Sequence, residues 1–291
     1  MKTNNFPVRG HREIISGKPM KIESRYRQFL PESRRVVIKI GTRVIAQKTG
    51  RPDMRQLRGL VGQVAALRRR GYEVLVVTSG AVAAGMESLG IRERPKLVPD
   101  LQMCAAVGQA RMMGKYEALF GREKLHVGQV LLTHADFLHR VRFANARRTL
   151  EHLLRAGVVP IINENDVVAD EELKADLSLG DNDYLAALVV KLVRADLLVI
   201  LSTVAGLLAP NPAGRLCRVP CVEKLGPEIF RLVNPGKNPL SKGGMDSKLR
   251  AAQIATRAGC AVVVANGRKG GVLTSILAGA DTGTLILSSP L

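Results

Sequence analysis

The sequence contains no tryptophan and only four tyrosines and six phenylalanines among its 291 residues. A hydrophobic core must therefore be built from Val, Leu, Ile and Ala, in one large α/β domain or two small ones. No apolar run approaches the ~18 residues that a membrane-spanning helix needs. Met1 to Arg35 also lacks the apolar stretch of a secretory signal. We therefore expect a cytoplasmic protein without a membrane partner.

Several catalytic and redox motifs are also missing. The four cysteines are too few and too unevenly spaced for a disulfide framework, so we expect reduced thiols. Cys217 and Cys221 resemble half of a zinc site, but no second Cys/His pair stands nearby. The sequence has no His-Glu-x-x-His or Gly-x-Ser-x-Gly motif, and no Gly-x-Gly-x-x-Gly motif follows the first predicted strand. These absences argue against a zinc protease, a serine hydrolase and a Rossmann-type dehydrogenase, and we predict no protein-bound metal.

Acidic residues are scarce relative to basic ones. The formal net charge is +19 and the pI is about 10.4, which would suit nucleic acid, an anionic surface or a polyanionic nucleotide. The basic residues are scattered, however, and no stripe of interleaved aromatics accompanies them, so nucleic acid is not an expected partner. Their density is highest in residues 1–35, which we interpret as a basic N-terminal arm, with one compact, two-lobed domain over 36–291.

Strand and helix patterns alternate along the rest of the chain. Predicted strands lie at 36–40, 73–78, 127–132, 158–162, 197–201, 261–265 and 284–287, and predicted helices at 57–70, 101–120, 143–155, 183–193, 247–257 and 272–277. This order is typical of an α/β protein with a mostly parallel sheet covered on both faces. The short Pro-containing segments of 206–222 predict a hairpin that leaves the sheet.

Polar groups follow the first two predicted strands. Lys39 lies in an apolar strand that ends at Gly41, and a buried lysine needs an anion, with the glycine letting backbone amides approach that anion. An edge strand with Lys39 in water is the alternative. Ser79 follows the second strand, where it could cap the next helix and bind a carboxylate; a simple capped turn explains it equally well.

Two acidic clusters follow later. Residues 163–166, Asn-Glu-Asn-Asp, come after a buried strand and suit recognition of an amino acid's ammonium and carboxylate, although an Asx-rich turn would also explain them. Residues 180–183, Gly-Asp-Asn-Asp, open a helix and contain more polar groups than capping requires. We interpret the surplus as organising lysines, substrate or a magnesium-bound phosphate.

The last such segment is a glycine-bearing loop from Lys242 to Lys248 that enters a helix. Its backbone amides and two lysines fit triphosphate binding, although its spacing is not that of a Walker A loop.

Taken in order, these segments resemble the amino-acid kinase family, and within it the glutamate 5-kinases, from about Val36 to the C-terminus. The motifs that carry the resemblance are VVIKIGT at 36–42, TSGAVAAG at 78–85, AAVGQ at 105–109, VGQVLLT at 127–133, INEND at 162–166, GDND at 180–183 and GGMxxK at 243–248. Each motif alone is unspecific, whereas the ordered set is specific.

The resemblance implies a three-layer αβα sandwich and a transferase that uses ATP and Mg²⁺ to phosphorylate the side-chain carboxylate of L-glutamate. That reaction begins proline biosynthesis. The resemblance further implies a homo-oligomer and feedback inhibition by proline. The RNA-binding-like C-terminal domain of many relatives is not expected here.

The resemblance also implies roles for individual residues. Lys39 and Lys248 would stabilise the transferred phosphoryl group, with Asp183 holding both, and Ser79, Asp166 and Asn182 would bind glutamate. The predicted nucleotide site consists of Lys39, Ser202, Thr203, Lys242, Gly243, Gly244, Met245, Asp246, Ser247 and Lys248.

The sequence departs from the family pattern on the nucleotide side. Thr203, Leu208 and Asn211 replace an Asp, a Tyr and an Asp, and Arg43 replaces a small hydroxyl residue. Two alternatives therefore stay open: a kinase of another acid or phosphate, and a catalytically weakened homologue with a regulatory or RNA-associated role.

Overall fold

A computed structural model describes residues 25–47, 51–169, 182–233 and 244–288. Its main sheet has eight strands in the order β3-β4-β2-β1-β5-β9-β10-β8. The strands in these residue ranges are β1 (Arg35–Ile40), β2 (Glu73–Val77), β3 (Val127–Leu132), β4 (Val159–Glu164), β5 (Leu197–Ser202), β6 (Leu208–Pro210), β7 (Leu216–Arg218), β8 (Cys221–Val222), β9 (Ala261–Asn266) and β10 (Thr284–Ile286). The strands from β3 to β9 in the sheet run parallel, while β10 is antiparallel to β9.

Nine α-helices lie in the described part of the chain. They are α1 (Met54–Arg69), α2 (Ala81–Ser88), α3 (Val98–Arg122), α4 (His134–Leu138), α5 (Arg140–Arg155), α6 (Asn182–Val193), α7 (Pro227–Val233), α8 (Met245–Arg257) and α9 (Val272–Leu277). Helices α1, α3 and α9 bury their apolar side chains against one face of the sheet. Helices α5, α6 and α8 bury theirs against the other face. The predicted αβα sandwich is confirmed.

Helices cover both faces of the sheet, which agrees with the aliphatic composition of its strands. Strand β1 is buried from Val36 to Ile40, as a central parallel strand must be when helices cover both its faces. Side chains alternate along a strand, so Val36, Ile38 and Ile40 enter the core below α1 and α3. Val37 enters the core below α6 and α8 instead. The same alternation puts Lys39 on the α6 and α8 face.

The structure refines several predicted boundaries. Helix α3 extends from Val98 to Arg122, and α4 and α7 are short helices that the periodicity did not predict. The predicted excursion at 206–222 forms the antiparallel hairpin β6–β7, but its last residues form β8, which joins the main sheet beside β10.

The end of the predicted N-terminal arm packs on the folded domain. Arg27 is 2% exposed, and its guanidinium donates hydrogen bonds to the backbone oxygens of Pro220, Thr282 and Gly283 at 2.8–3.0 Å. Leu30 is fully buried in the core below α9. Residues 25–34 therefore contribute to the packing around β8 and β10.

Within the described ranges, no helix is long and apolar enough to cross a bilayer.

Candidate active site

Polar side chains meet where the parallel strands end at their carboxyl edge. Strand β1 lies between β2 and β5, so Lys39, its penultimate residue, is central in the sheet. Lys39 is 3% exposed, which excludes the alternative of an edge strand with this lysine in water. The edge of an open parallel sheet where helices begin is the usual place for a ligand.

A buried ion triad occupies this position. Asp183 in the first turn of α6 is fully buried, and its Oδ1 lies 2.7 Å from Lys39 Nζ. Its Oδ2 accepts a hydrogen bond of 3.0 Å from Lys248 Nζ in the first turn of α8. Lys248 is 6% exposed. The structure thus brings together three residues that are far apart in sequence, although their catalytic roles remain predictions.

The triad's electrostatics explain the ionisation of Asp183. Burial alone would raise the pKa of this carboxyl, but the charges and hydrogen bonds of Lys39 and Lys248 outweigh burial and hold the pKa below its usual value. Two ammonium groups and one carboxylate leave one net positive charge. Since hydrogen bonds from ammonium groups to an anion are charge-assisted and strong, this excess of positive charge suits the triad to receiving an anion.

Ser79 follows β2 on one side of the triad. Its hydroxyl donates to the carbonyl of Ile40 at 3.0 Å and accepts from Thr42 Oγ1 at 2.9 Å. The expectation that Ser79 caps the next helix is wrong, because Gly80 is the N-cap of α2 and no side chain caps it. Gly80 has φ +107°, a backbone conformation that favours glycine. The two hydrogen bonds of the Ser79 hydroxyl fix it to the end of β1 and to Thr42.

The Gly41 amide also differs from expectation. It donates to the carbonyl of Leu201 at 3.2 Å and so continues the pairing of β1 with β5. The amide of Gly41 itself is therefore engaged within the protein, and the prediction that this glycine lets backbone amides approach an anion stays a prediction. The absence of a side chain still matters, since a Cβ at Gly41 would lie 3.3 Å from Leu201 O and 3.8 Å from Lys39 Nζ.

Helix α2 is held against α3 by two glycines. A Cβ on Gly85 would lie 1.8 Å from the carbonyl oxygen of Cys104, and one on Gly108 would lie 1.7 Å from that of Ala81. The two backbones are in direct contact, so the turn that carries Ser79 is anchored to a 25-residue helix.

Asparagine side chains connect β4 with the start of α6. Asn182 Nδ2 donates to Asn163 Oδ1 at 3.1 Å, and Asn163 is 3% exposed. Asn182 Oδ1 is buried and has no hydrogen-bond partner among the described residues. A buried, unpaired carbonyl oxygen is costly unless a ligand donates to it.

The structure describes only some of the other residues in the two predicted polar clusters at 163–166 and 180–183. Asp166 lies half-buried in the turn after β4, while Asn163 and Glu164 belong to the strand itself, which runs further than predicted. Gly180 and Asp181 lie outside the described residues.

The other side of the triad is formed by β5 and α8. Ser202 ends β5, Thr203 is exposed beyond it, and Gly244 is the N-cap of α8. Met245, Asp246 and Ser247 form the first turn of α8 with Lys248. Lys242 and Gly243 of the predicted nucleotide loop lie outside the described residues.

An ion pair accompanies this turn. Asp246 is 4% exposed, and its Oδ2 accepts a hydrogen bond of 2.7 Å from Arg250 Nε one helical turn later. Arg250 offsets a carboxylate that would otherwise repel an approaching phosphate.

The amino acid kinase family matches residues 34–266 of the sequence. This chain belongs to the amino acid kinase family. Among relatives, a glutamate 5-kinase of Moorella thermoacetica is 44% identical over 91% of this chain and 70% of its own length. A glutamate 5-kinase of Hahella chejuensis is 45% identical over 91% of this chain and 68% of its own length. These relatives are longer than the part they share with this chain.

Solved structures support the same fold. Carbamate kinase from Giardia lamblia bound to AMP-PNP aligns over 89% of this chain and 100% of its own, with a TM-score of 0.62 and 16% identity. N-acetylglutamate synthase from Neisseria gonorrhoeae aligns over 92% of this chain and 63% of its own, with a TM-score of 0.62 and 14% identity. At these identities the likeness concerns the fold alone.

The departures from the pattern of amino-acid kinases have structural explanations in part. Asn211 Oδ1 accepts hydrogen bonds from the amides of Ala213 and Arg215 at 3.0 and 2.9 Å, so it closes the turn between β6 and β7. Leu208 is 40% exposed on β6. The structure does not explain why Thr203 stands where this family has an acid.

Sequence reasoning missed two partners of the site residues. Thr42 belongs to the motif after β1, but only its contact with Ser79 indicates a role. Tyr116 on α3 carries no motif signal, yet its hydroxyl lies 2.8 Å from Thr78 Oγ1 directly before Ser79. Burial raises the pKa of Tyr116 to about 12, so this buried pair stays neutral.

Proposed function

We propose that this protein is a glutamate 5-kinase that transfers the terminal phosphoryl group of ATP to the side-chain carboxylate of L-glutamate, giving L-glutamyl 5-phosphate for proline biosynthesis. The observation that carries the proposal is the buried Lys39–Asp183–Lys248 triad with its one net positive charge. Relatives named glutamate 5-kinase at 41–45% identity favour this acceptor over another acid.

The physical requirement is that two anions meet. A carboxylate approaches a triphosphate only when positive charge offsets their repulsion, and phosphoryl transfer depends mainly on positioning and electrostatics. Lys39 and Lys248, each paired with a different oxygen of Asp183, supply that charge. Asp183 itself stays ionised and holds both ammonium groups, so no covalent nucleophile is required.

The acceptor binds on the β2 and β4 side in this proposal. Asn182 Oδ1, which lacks a donor among the described residues, accepts from the ammonium of glutamate, and Asp166 adds a negative charge for the same group. Ser79 binds a carboxylate oxygen. The acceptor is thus directed with its side-chain carboxylate towards Lys39.

The nucleotide binds on the β5 and α8 side. The N-terminal end of α8 offers the partial positive charge of the helix dipole to the phosphates, and Lys248 in its first turn adds an ammonium group. The Giardia lamblia carbamate kinase bound to AMP-PNP has the same fold, which supports an ATP site in this proposal.

Mg²⁺ would be held by the nucleotide and water more than by the protein. Among the described residues, no cluster of three or more His, Cys, Asp or Glu side chains could hold a metal ion. Both oxygens of Asp183 are engaged by ammonium groups. In this proposal Mg²⁺ binds through the phosphates and retained waters, as it usually does in kinases, and neutralises charge on the triphosphate.

The resemblance adds further parts to the proposal, namely a homo-oligomer, feedback inhibition by proline and a cytoplasmic location. Each remains a prediction from the sequence.

Trapping of the acyl phosphate with hydroxylamine tests the proposed function. The protein is incubated with ATP, Mg²⁺ and, separately, glutamate, acetylglutamate, aspartate or carbamate, and hydroxamate is measured. Hydroxamate from glutamate alone supports the proposal. If another acid gives hydroxamate instead, that acid is the substrate and the glutamate assignment is wrong. If no acid gives hydroxamate, the result supports the alternative of a catalytically weakened homologue.

A further inference from the structure

We propose that Thr42 is a positioning residue that makes Ser79 a hydrogen-bond donor to the acceptor's carboxylate. This proposal rests on the proposed function, since it concerns the binding of its acid substrate. Thr42 lies two residues after β1, the strand that carries Lys39, and Ser79 lies two residues after β2. The pair therefore connects the phosphoryl and acceptor parts of the site.

The direction of the hydrogen bonds decides what Ser79 can do. A serine hydroxyl has one proton and two lone pairs. Thr42 Oγ1 donates to Ser79 Oγ at 2.9 Å, while Ser79 donates its own proton to the carbonyl of Ile40 at 3.0 Å. Since Thr42 occupies one lone pair, Ser79 is less able to accept from an ammonium group.

An arriving carboxylate competes with the carbonyl of Ile40 for the proton of Ser79. A carboxylate is the stronger acceptor because the hydrogen bond is charge-assisted. The donation from Thr42 also polarises the Ser79 hydroxyl and strengthens its donation. Thr42 thus acts on the substrate through Ser79 without touching it.

The structure holds Thr42 in place independently of this hydrogen bond. The turn at Thr42 is closed by the Val44 amide, which donates to the carbonyl of Gly41 at 2.9 Å. Arg268 then donates to the carbonyl of Arg43 at 2.8 Å. Removing only the Thr42 hydroxyl therefore leaves the turn and Lys39 in place.

The methyl group of Thr42 lies near Gly80, where an added Cβ would lie 3.4 Å from Thr42 Cγ2. Valine keeps that methyl and removes the hydroxyl, whereas serine keeps the hydroxyl and removes the methyl. The two variants separate packing from hydrogen bonding.

A double-mutant cycle tests the proposal. Thr42→Val should raise the KM for glutamate about 5- to 15-fold, as expected for one lost hydrogen bond, with little change in kcat or in the KM for ATP. Thr42→Ser should restore a KM close to that of the wild type. In a Ser79→Ala background, Thr42→Val should have no further effect on the KM.

The matched control is Thr274→Val, since Thr274 Oγ1 donates to the carbonyl of Gly271 at 2.9 Å in α9, away from the site. This variant should keep the wild-type KM. An equal effect of Thr42→Val with and without Ser79 would overturn the proposal, as would an unchanged KM in folded Thr42→Val.

The wild-type result separates this proposal from the proposed function. If the wild type phosphorylates a different acid, the glutamate 5-kinase function fails, but the same cycle with that acid still decides the role of Thr42. If titration calorimetry detects no binding of any acid and the assay detects no turnover, both proposals fail.

Discussion

Replacing Lys248 with methionine tests the electrostatic reasoning directly. Methionine keeps much of the side-chain volume but removes the ammonium group that lies 3.0 Å from Asp183 Oδ2. The net charge of the triad falls from +1 to zero, because Lys39 stays paired with Asp183 at 2.7 Å. The variant therefore loses the excess charge that would meet the transferred phosphoryl group.

The size of the effect follows from Coulomb's law. Two unit charges about 4 Å apart at an effective dielectric constant of about 20 interact by roughly 4 kcal/mol. About 1.4 kcal/mol corresponds to a tenfold change in rate. We therefore expect kcat to fall about 10³-fold in Lys248→Met. The free energy of unfolding should change by less than about 2 kcal/mol, since no buried charge is left unpaired.

The assay is initial-rate hydroxamate formation at saturating ATP and glutamate, with folding checked by circular dichroism and thermal unfolding. Lys191→Met is the matched control, because Lys191 is exposed in the last turn of α6, at the end opposite Asp183. A folded Lys248→Met that keeps more than about a tenth of the wild-type kcat would refute the electrostatic role.

Three further predictions concern the same scaffold. Asp183→Asn removes the carboxylate that pairs with both buried ammonium groups and should lower the free energy of unfolding near pH 7 by about 3–5 kcal/mol. Because the pKa of Asp183 is depressed in the folded state, the stability that its ionised form contributes is fully present above the unfolded pKa of about 3.9 and is lost as pH falls through the folded pKa. In denaturant unfolding, the free energies of unfolding of the wild type and Asp183→Asn should therefore converge below about pH 4. A difference that stays constant with pH would contradict this. Asn182→Ala should raise the KM for glutamate about tenfold by removing one acceptor, and an unchanged KM would remove Asn182 from the acceptor site. Gly108→Ala should prevent stable folding, since its Cβ would lie 1.7 Å from Ala81 O, and thermal unfolding like that of the wild type would show that α2 and α3 can separate.

Sequence patterns predicted much of the architecture because they are local. The alternation of apolar strands and amphipathic helices predicts a mostly parallel, doubly covered sheet, and the observed order of strands confirms it. Boundaries were less accurate: β4 continues through Asn163 and Glu164, and the five-residue α4 is too short to show a periodicity.

The order of the family's motifs, and hence the list of candidate site residues, can be read from the sequence. The pairing of Lys39 and Lys248 with the two oxygens of one carboxylate, and the donation from Thr42 to Ser79, become visible only in the folded chain. These contacts depend on β1 lying between β2 and β5. Strand order is a long-range property set by the packing of the whole core, whereas periodicity and capping signals report only on neighbours along the chain.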